Sequence, residues 1–147
     1  MKQFYFAPLE GITTYIYRNL HHQKFGSMDK YFTPFVSPTS NHDFKGRAKK
    51  DVIPEHNQGI PVVPQILSNR SDEFVYTAGR LIEYGYDEIN LNLGCPAGTV
   101  VSKNRGSGFL AYPEELDRFL NEIYKINDMK ISIKTRLGKE RADEFYK

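Results

Sequence analysis

The chain has 147 residues, a formal net charge of +2 and one cysteine. Its length suits a single domain with a hydrophobic core, its charge is too small to establish a nucleic-acid partner, and one cysteine excludes an internal disulfide, which favours a reducing cytoplasm. No apolar run is long enough for a membrane span, and the opening stretch MKQFYFAPLEG predicts a strand and not an export signal.

Predicted strands and helices alternate along the chain. The hydrophobic pattern predicts strands at residues 4–7, 30–35, 61–67, 87–93 and 130–136. Helices are predicted at 14–25, within the polar connection 36–59, from 71 to about 84, from 113 onwards and at the final GKERADEFYK. Strands separated by helices imply right-handed crossovers and a parallel sheet, so the predicted fold class is α/β.

The predicted helices have an apolar side and defined ends. Ser71 is expected to cap the helix that follows it, and Gly85 to end that helix. Apolar residues recur at helical spacing and predict three buried sets: Ile16, Leu20 and Phe25; Phe74, Ala78, Leu81 and Ile82; and Leu116, Phe119, Leu120 and Ile123.

Two predicted strands carry polar residues on one face, although parallel strands are usually apolar on both. The fourth strand alternates Asn90 and Asn92 with apolar residues, and the fifth alternates Ser132 and Lys134 with isoleucines. If the apolar sets pack on helices, the polar sets point into a barrel, where burial without partners is costly. Together with Gln65, they indicate a polar ligand near the carboxyl ends of the strands. The alternative is a pair of edge strands with one face in water.

Four motifs occur in order along the chain. They are APLEGIT at 7–13 followed by Tyr17-Arg18, PQIL at 64–67, NLNLGCPAGTVVSKNRGSGFLAYPE at 90–114 and IKTRLG at 133–138. On these motifs the chain resembles the tRNA-dihydrouridine synthases over essentially its whole length. Leu9 and Thr14 stand where many members of that family have Met and Asp.

The resemblance implies an FMN-binding TIM barrel followed by a helical domain that holds tRNA. A complete (β/α)₈ barrel takes ~250 residues, so residues 1–147 are expected to form its N-terminal portion, about five βα units, without the last strands or the helical domain. The family uses NADPH to reduce FMN. The flavin hydride goes to C6 of a tRNA uridine and a cysteine proton goes to C5, giving 5,6-dihydrouridine. No metal and no membrane partner are implied.

The resemblance also assigns roles to individual residues. It makes Cys95 the proton donor and places Asn92 and Arg136 near the flavin and the target uridine. The residues that it assigns to FMN contacts are Pro8, Leu9, Glu10, Gln65 and Lys134.

The chemistry of a proton donor suits a cysteine without a neighbouring base. An ordinary thiol, with a pKa of ~8.5, is mostly protonated at neutral pH, whereas nucleophilic cysteines usually have a base beside them. The four histidines, His21, His22, His42 and His56, are all distant from Cys95 in sequence. The competing interpretation of Cys95 is a small buried hydrophobic residue. Lys134 could stabilise charge on a reduced flavin, and its alternative is an exposed surface lysine.

Two basic segments are candidates for contacts with RNA phosphates. They are Lys103 with Arg105, and the run KGRAKK at 45–50. A solvated surface explains each equally well. The stretch 106–108, Gly-Ser-Gly, is too short for a phosphate-binding loop and instead predicts a close turn of the backbone.

Two other functions remain open from the sequence. One is a different flavin barrel of the dihydroorotate dehydrogenase type, which also carries an Asn and Cys-Pro loop and a lysine near the flavin. The other is a fragment without catalytic activity that binds RNA. In either case the isolated chain is expected not to complete the tRNA reaction.

Overall fold

A computed structural model describes residues 2–26, 28–39, 43–125 and 129–146. Strands and helices alternate over these residues, as expected for the α/β class. No helix within those ranges is both long and apolar enough to cross a bilayer. The elements are β1 (Tyr5–Phe6), α1 (Tyr15–Phe25), β2 (Lys30–Phe32), α2 (Gly46–Val52), β3 (Val62–Val63), β4 (Gln65–Ile66), α3 (Ser71–Glu83), β5 (Glu88–Leu93), α4 (Gly98–Val101), α5 (Pro113–Ile123) and β6 (Lys130–Thr135), with 3₁₀ helices at Pro54–His56, Gly106–Ala111 and Ala142–Tyr146.

The strands form two parallel sheets, β1-β2-β3 and β4-β5-β6, which meet at Pro64. The Val63 carbonyl accepts the Thr33 N–H (3.1 Å), whereas the Pro64 carbonyl accepts the Asn90 N–H (2.9 Å). Residues 62–63 therefore pair with β2 and residues 65–66 pair with β5, while Val36, beyond β2, forms a further parallel bridge to Ile66. Proline has no N–H to donate, and Pro64 lies where the pairing with the β2 side is interrupted before it resumes at Val36. The third predicted strand is present, but it is divided into two short strands.

Alternation along β5 places its apolar and polar residues on opposite faces, as predicted. Ile89, Leu91 and Leu93 lie in the hydrophobic core, at 0–3% exposure. The helices contribute Phe74, Ala78, Leu81, Phe119 and Ile123 to the same core, with Leu116 and Leu120 packed against it. The predicted inner face of α5 is thus confirmed. In α3 the prediction holds for three residues, but Ile82 is 41% exposed.

At the ends of the helices, the predictions based on proline and glycine backbone preferences are confirmed, whereas the predicted side-chain cap is not. Pro113 is the first residue of α5, as predicted. Gly85 has φ +93° just beyond α3, and its N–H bonds to the Ile82 carbonyl (2.8 Å), so it ends that helix. The predicted cap at Ser71 is wrong: Ser71 is the first helical residue and its hydroxyl donates to Glu122.

The predicted inner face of α1 is also wrong. Ile16, Leu20 and Phe25 are 62%, 53% and 80% exposed, and the residue that α1 buries completely is Arg18. The helix is oriented by polar contacts of this arginine and not by its apolar residues. Hydrophobic spacing could not reveal this, because a buried arginine counts as an outward-facing position in any such pattern.

Arg18 is the centre of a buried polar network that joins α1, α2 and Asn57, which follows the 3₁₀ helix Pro54–His56. Its guanidinium donates to the carbonyls of Thr13 (2.9 Å) and Asp51 (2.7 Å) and to Asn57 Oδ1 (2.8 Å). The Asp51 carboxylate lies 3.5 Å from the guanidinium and accepts the Tyr15 N–H at the start of α1 (2.6 Å). Burial lowers the pKa of Arg18 and raises the pKa of Asp51, and the two opposite charges oppose these shifts.

Candidate functional site

A cleft of about 190 Å³ lies where the parallel strands end. Its walls come from the segments that follow β1 and β2, from β4, from the end of β5 and from β6. Its lining residues are Pro8, Leu9, Glu10, Pro34, Phe35, Gln65, Asn92, Gly94, Cys95, Pro96 and Lys134. The fold thus brings together the predicted proton donor, Asn92 and all five predicted cofactor contacts.

Cys95 lies in a loop whose backbone is held from both sides. The Asn92 Oδ1 accepts the N–H groups of Gly94 (3.1 Å) and Cys95 (3.0 Å). The Cys95 carbonyl accepts both the N–H (3.0 Å) and the hydroxyl (3.1 Å) of Ser107. The half-buried thiol is therefore carried on a backbone with little freedom to shift.

Gly106 makes this close approach of the two loops possible. Its φ is +57°, and a Cβ added there would lie 2.6 Å from the Cys95 carbonyl oxygen and 2.9 Å from Val100 Cγ1. The prediction of a close backbone turn at 106–108 is confirmed. A side chain at this position would push against the backbone that holds the thiol.

The buried amides beneath the cleft satisfy one another. Asn92 Nδ2 donates to Gln65 Oε1 (2.7 Å), Gln65 Nε2 donates to Asn90 Oδ1 (2.7 Å), and Asn90 Nδ2 donates to Ser132 Oγ (2.9 Å). For Gln65, Asn90 and Asn92, the expectation that a ligand is needed to satisfy the polar residues is therefore wrong. Gln65 is 0% exposed, and its carboxamide keeps only one N–H and one lone pair for any further contact.

Lys134 is a charged group of the cleft without a partner among the described residues. It is half-buried, and its ammonium has no ion pair or hydrogen bond within the described part of the chain. Its Nζ lies 3.5 Å from the position of a Cβ on Gly94, so it lies against the cysteine loop. A partly desolvated ammonium favours an anionic or carbonyl-bearing ligand in the cleft.

The turn after β1 forms the opposite wall and is fixed by Thr13. The Thr13 hydroxyl accepts the Leu9 N–H (2.9 Å) and donates to the Leu9 carbonyl (3.2 Å). At the rim, the Arg47 guanidinium of α2 contacts the Glu10 carboxylate. Burial raises the pKa of Glu10, and the charge of Arg47 opposes that rise. The predicted basic segment 45–50 thus reaches the edge of the cleft through Arg47.

The three other predicted substrate contacts do not line the cleft. The Arg105 guanidinium bonds to Asn69 Oδ1 (3.2 Å) and lies 3.4 Å from Glu73, so it already has protein partners. Lys103 is exposed. Arg136 follows β6 and lines a separate apolar groove beside α5.

Four lining residues were not foreseen from the sequence: Pro34, Phe35, Gly94 and Pro96. Pro34 and Phe35 follow β2, and the rule that parallel strands end at a common site could have identified them. His21, His22 and His56 contact residues of α1, β2 and α2, away from the cleft. His42 lies outside the described residues. No cluster of potential metal ligands occurs within the described ranges.

Comparisons with known proteins point to one family. A family model described as dihydrouridine synthase matches residues 5–146. A Staphylococcus aureus (strain COL) protein named "Probable tRNA-dihydrouridine synthase" is 30% identical over 148 residues, which cover 97% of this chain and 43% of that protein. A Staphylococcus epidermidis protein of the same name is 29% identical, and the Bacillus subtilis (strain 168) "Probable tRNA-dihydrouridine synthase 2" is 27% identical, with the same coverage. The chain spans less than half the length of these relatives.

Proposed function

Because this chain belongs to the dihydrouridine synthase family, we propose that it supplies the FMN-binding and proton-donating part of a tRNA-dihydrouridine synthase. The observation that carries the proposal is the single cleft shared by Cys95, Asn92 and Lys134 at the carboxyl ends of the strands. The family favours tRNA uridine over dihydroorotate as the substrate. The chain covers 43% of the first relative, which supports its being about five of the eight βα units of a TIM barrel.

The residues of the cleft fit a flavin. Lys134 has no ion pair or hydrogen bond to any residue that the structure describes, so its ammonium can stabilise the negative charge that a reduced isoalloxazine carries near N1. The turn Pro8-Leu9-Glu10 forms one wall of the cleft and is held by Thr13, and Gln65 retains one N–H for a ring carbonyl. The cleft volume of about 190 Å³ is below the ~300 Å³ typical of ligand pockets, so it suits one edge of a planar ring system and not a whole nucleotide.

Cys95 supplies the proton in this proposal. When bound and reduced by NADPH, FMN would provide the hydride for C6 of the uracil. The Cys95 thiol then protonates C5, which completes the saturation of the double bond without further electrons. Asn92 holds the backbone of Gly94 and Cys95, so it fixes where the thiol is delivered. The target base has to leave the tRNA stack to reach the cleft.

An FMN titration of the 147-residue chain tests the proposal. We expect saturable quenching of flavin fluorescence, and Lys134→Ala should weaken binding by at least about tenfold, because hydrogen bonds to charged groups contribute more than neutral ones. Lys125→Ala is the matched control. Lys125 is exposed between α5 and β6, at the end of the sheet opposite the cleft, and its loss should leave the affinity unchanged.

Either of two results would contradict the assignment of the cleft. A folded chain that shows no saturable binding of FMN would mean that these residues do not form a flavin site by themselves. Equal affinities of the wild type and Lys134→Ala for FMN would mean that Lys134 does not contribute to FMN binding.

We also propose that RNA phosphates contact Lys45 and Lys103, on the connections that follow β2 and β5. Both are exposed, and neither has an ion pair within the described residues. For unmodified tRNA, Lys45→Ala with Lys103→Ala should make the slope of log K against log salt shallower, by about one unit for each phosphate that is no longer bound. Lys24→Ala with Lys125→Ala changes the charge equally at the other end of the strands and should leave the slope in place. An equal effect of both pairs would indicate nonspecific attraction only.

A further inference from the structure

The chain of buried amides beneath the cleft has a defined direction, and we propose that Asn90 and Ser132 are positioning residues that act through it on Cys95. The catalytic meaning of this inference rests on the proposed function of Cys95. The structural claim does not, because it concerns how the cysteine loop is held when neither FMN nor tRNA is bound.

The direction follows from the backbone of the cysteine loop. The N–H groups of Gly94 and Cys95 can only donate, so the atom of Asn92 that meets them has to be Oδ1. Asn92 then turns Nδ2 towards Gln65, which has to present Oε1 to it. The Nε2 of Gln65 faces the other way and requires an acceptor.

Asn90 provides that acceptor, and Ser132 completes the chain. Gln65 Nε2 donates to Asn90 Oδ1 (2.7 Å), which leaves Asn90 Nδ2 to donate to Ser132 Oγ (2.9 Å). The sheet register supports this order, since Gln65 pairs with Asn90 and Asn90 pairs with Ser132. Each carboxamide can therefore take only one orientation while the loop amides remain bonded to Asn92.

Burial makes this orientation costly to lose. Gln65, Asn90 and Asn92 are 0%, 2% and 4% exposed, so water cannot readily replace a missing partner. A substitution that removes the Asn90 side-chain oxygen leaves Gln65 Nε2 without an acceptor and allows the Gln65 carboxamide to rotate. Asn92 then loses the acceptor that orients it, and the loop amides lose their anchor. The proposal thus connects β6 to the thiol through three side chains.

The far end of the chain lies beside a charged cluster. The Glu88 carboxylate accepts from Lys30 (2.6 Å) and Lys130 (3.0 Å). Burial raises the pKa of Glu88, but hydrogen bonds from Lys30, Ser132 and Lys130 outweigh burial, so the pKa lies below its usual value. The Ser132 hydroxyl thus accepts a hydrogen bond from Asn90 Nδ2 and lies close enough to Glu88 to affect its pKa. A hydroxyl suits this last position of the hydrogen-bonded series because it can both accept and donate.

Variants at position 90 separate positioning from bulk packing. Asn90→Asp keeps an oxygen facing Gln65 Nε2, and the Ser132 hydroxyl can rotate to donate to its second oxygen. Asn90→Leu has a similar volume but no polar atom. We expect Asn90→Leu to speed iodoacetamide alkylation of Cys95 about fivefold and to reduce the hydrogen-exchange protection of the Gly94 and Cys95 amides by a similar factor. Asn90→Asp should remain within about twofold of the wild type.

The pair Ser132→Ala and Ser132→Thr repeats the test at the end of the chain. Alanine should produce a smaller change of the same kind, and threonine should restore the wild-type rate because it keeps the hydroxyl. Thr135→Ala on the same strand is the control, since among the described residues the Thr135 hydroxyl bonds to the Arg136 carbonyl and not to the buried amides. Each variant is compared below its own unfolding transition. The proposal is wrong if Asn90→Leu and Ser132→Ala lower stability while alkylation and exchange at 94–95 stay at wild-type values.

None of these measurements uses FMN or RNA. If the protein fails to bind FMN but alkylation and exchange change as predicted, more in Asn90→Leu than in Ser132→Ala, the positioning role stands and the proposed function is wrong. If the protein binds FMN but alkylation and exchange do not change in these variants, the proposed function stands and Asn90 and Ser132 have no positioning role in it.

Discussion

Arg18→Met is expected to lower the free energy of unfolding by roughly 3–5 kcal/mol, the usual cost of leaving one charge of a buried ion pair without its partner. Methionine fills similar space but cannot bond to the carbonyls of Thr13 and Asp51 or to Asn57 Oδ1. The Asp51 carboxylate, 2% exposed in its side chain, would remain buried with one hydrogen bond from the described residues, that of the Tyr15 N–H. Urea unfolding of the 147-residue chain measures the change.

The pH dependence identifies the charge on Asp51 as the cause. Its pKa is raised in the folded state, so the folded chain binds this proton more readily than the unfolded chain. A raised pKa contributes stability that is complete below the unfolded value of ~3.9 and is lost as pH rises through the folded value. Without Arg18 the pKa of Asp51 should rise further. The loss of unfolding free energy in Arg18→Met, relative to the wild type, should therefore be largest at neutral pH and become smaller towards pH ~4.

Arg80→Met is the matched control for the same substitution. Arg80 pairs with Glu83 one turn away on the surface of α3, with both side chains substantially exposed. Surface pairs of this kind contribute ~0–1 kcal/mol, so the variant should unfold close to the wild type. Similar losses at both positions, or a loss at position 18 that does not vary with pH, would contradict the buried ion pair.

Gly106→Ala is expected to damage both stability and the candidate site. The left-handed backbone alone costs a residue with a side chain roughly 1–2 kcal/mol. The added Cβ would also lie 2.6 Å from the Cys95 carbonyl oxygen, which is backbone and cannot turn aside. Relief of this contact requires the cysteine loop to move and weakens the bonds from Ser107. We expect an unfolding free energy lowered by more than the backbone cost, and weaker FMN binding.

Gly79→Ala is the control, and we expect it to change the free energy of unfolding in the opposite direction. Gly79 lies within α3, and nothing is within 4 Å of its added Cβ. The same substitution should stabilise the chain by ~0.5–1 kcal/mol, because alanine favours a helix over glycine. Urea unfolding and the FMN titration serve for both variants. The account of Gly106 is wrong if the two substitutions have the same effect, or if Gly106→Ala binds FMN as tightly as the wild type.

The parts of the fold that depend on local pattern could be predicted from the sequence. The α/β alternation, the short helix within 36–59, the start of α5 at Pro113 and the stop at Gly85 all follow from hydrophobic spacing and backbone preference. The alternation along β5 correctly separated Ile89 and Leu91 from the asparagines.

The failures occur where long-range polar contacts override that pattern. The contacts of Arg18 with Asp51 and Asn57 span more than thirty residues in sequence, so nothing near α1 indicates which face it buries. The asparagines were correctly placed inside, but their side-chain partners are Gln65 and Ser132 and not a ligand, because hydrogen-bond pairing depends on strand register. The positions of Cys95, Gln65 and Lys134 in one cleft follow from the parallel strands; their proposed roles in catalysis stay predictions.

The junction at Pro64 has a consequence for cooperativity. Most of the hydrophobic core lies around β4, β5 and their helices, whereas β1 is paired over two residues and α1 leaves its apolar side exposed. We therefore expect the two sides of the junction to differ in local stability, with the side of β1 opening first. The cleft crosses this boundary, since the turn at Leu9 belongs to the weaker side and Cys95 to the stronger. A ligand that contacts both walls would therefore act as a clamp, adding its binding free energy to the less stable half of the molecule.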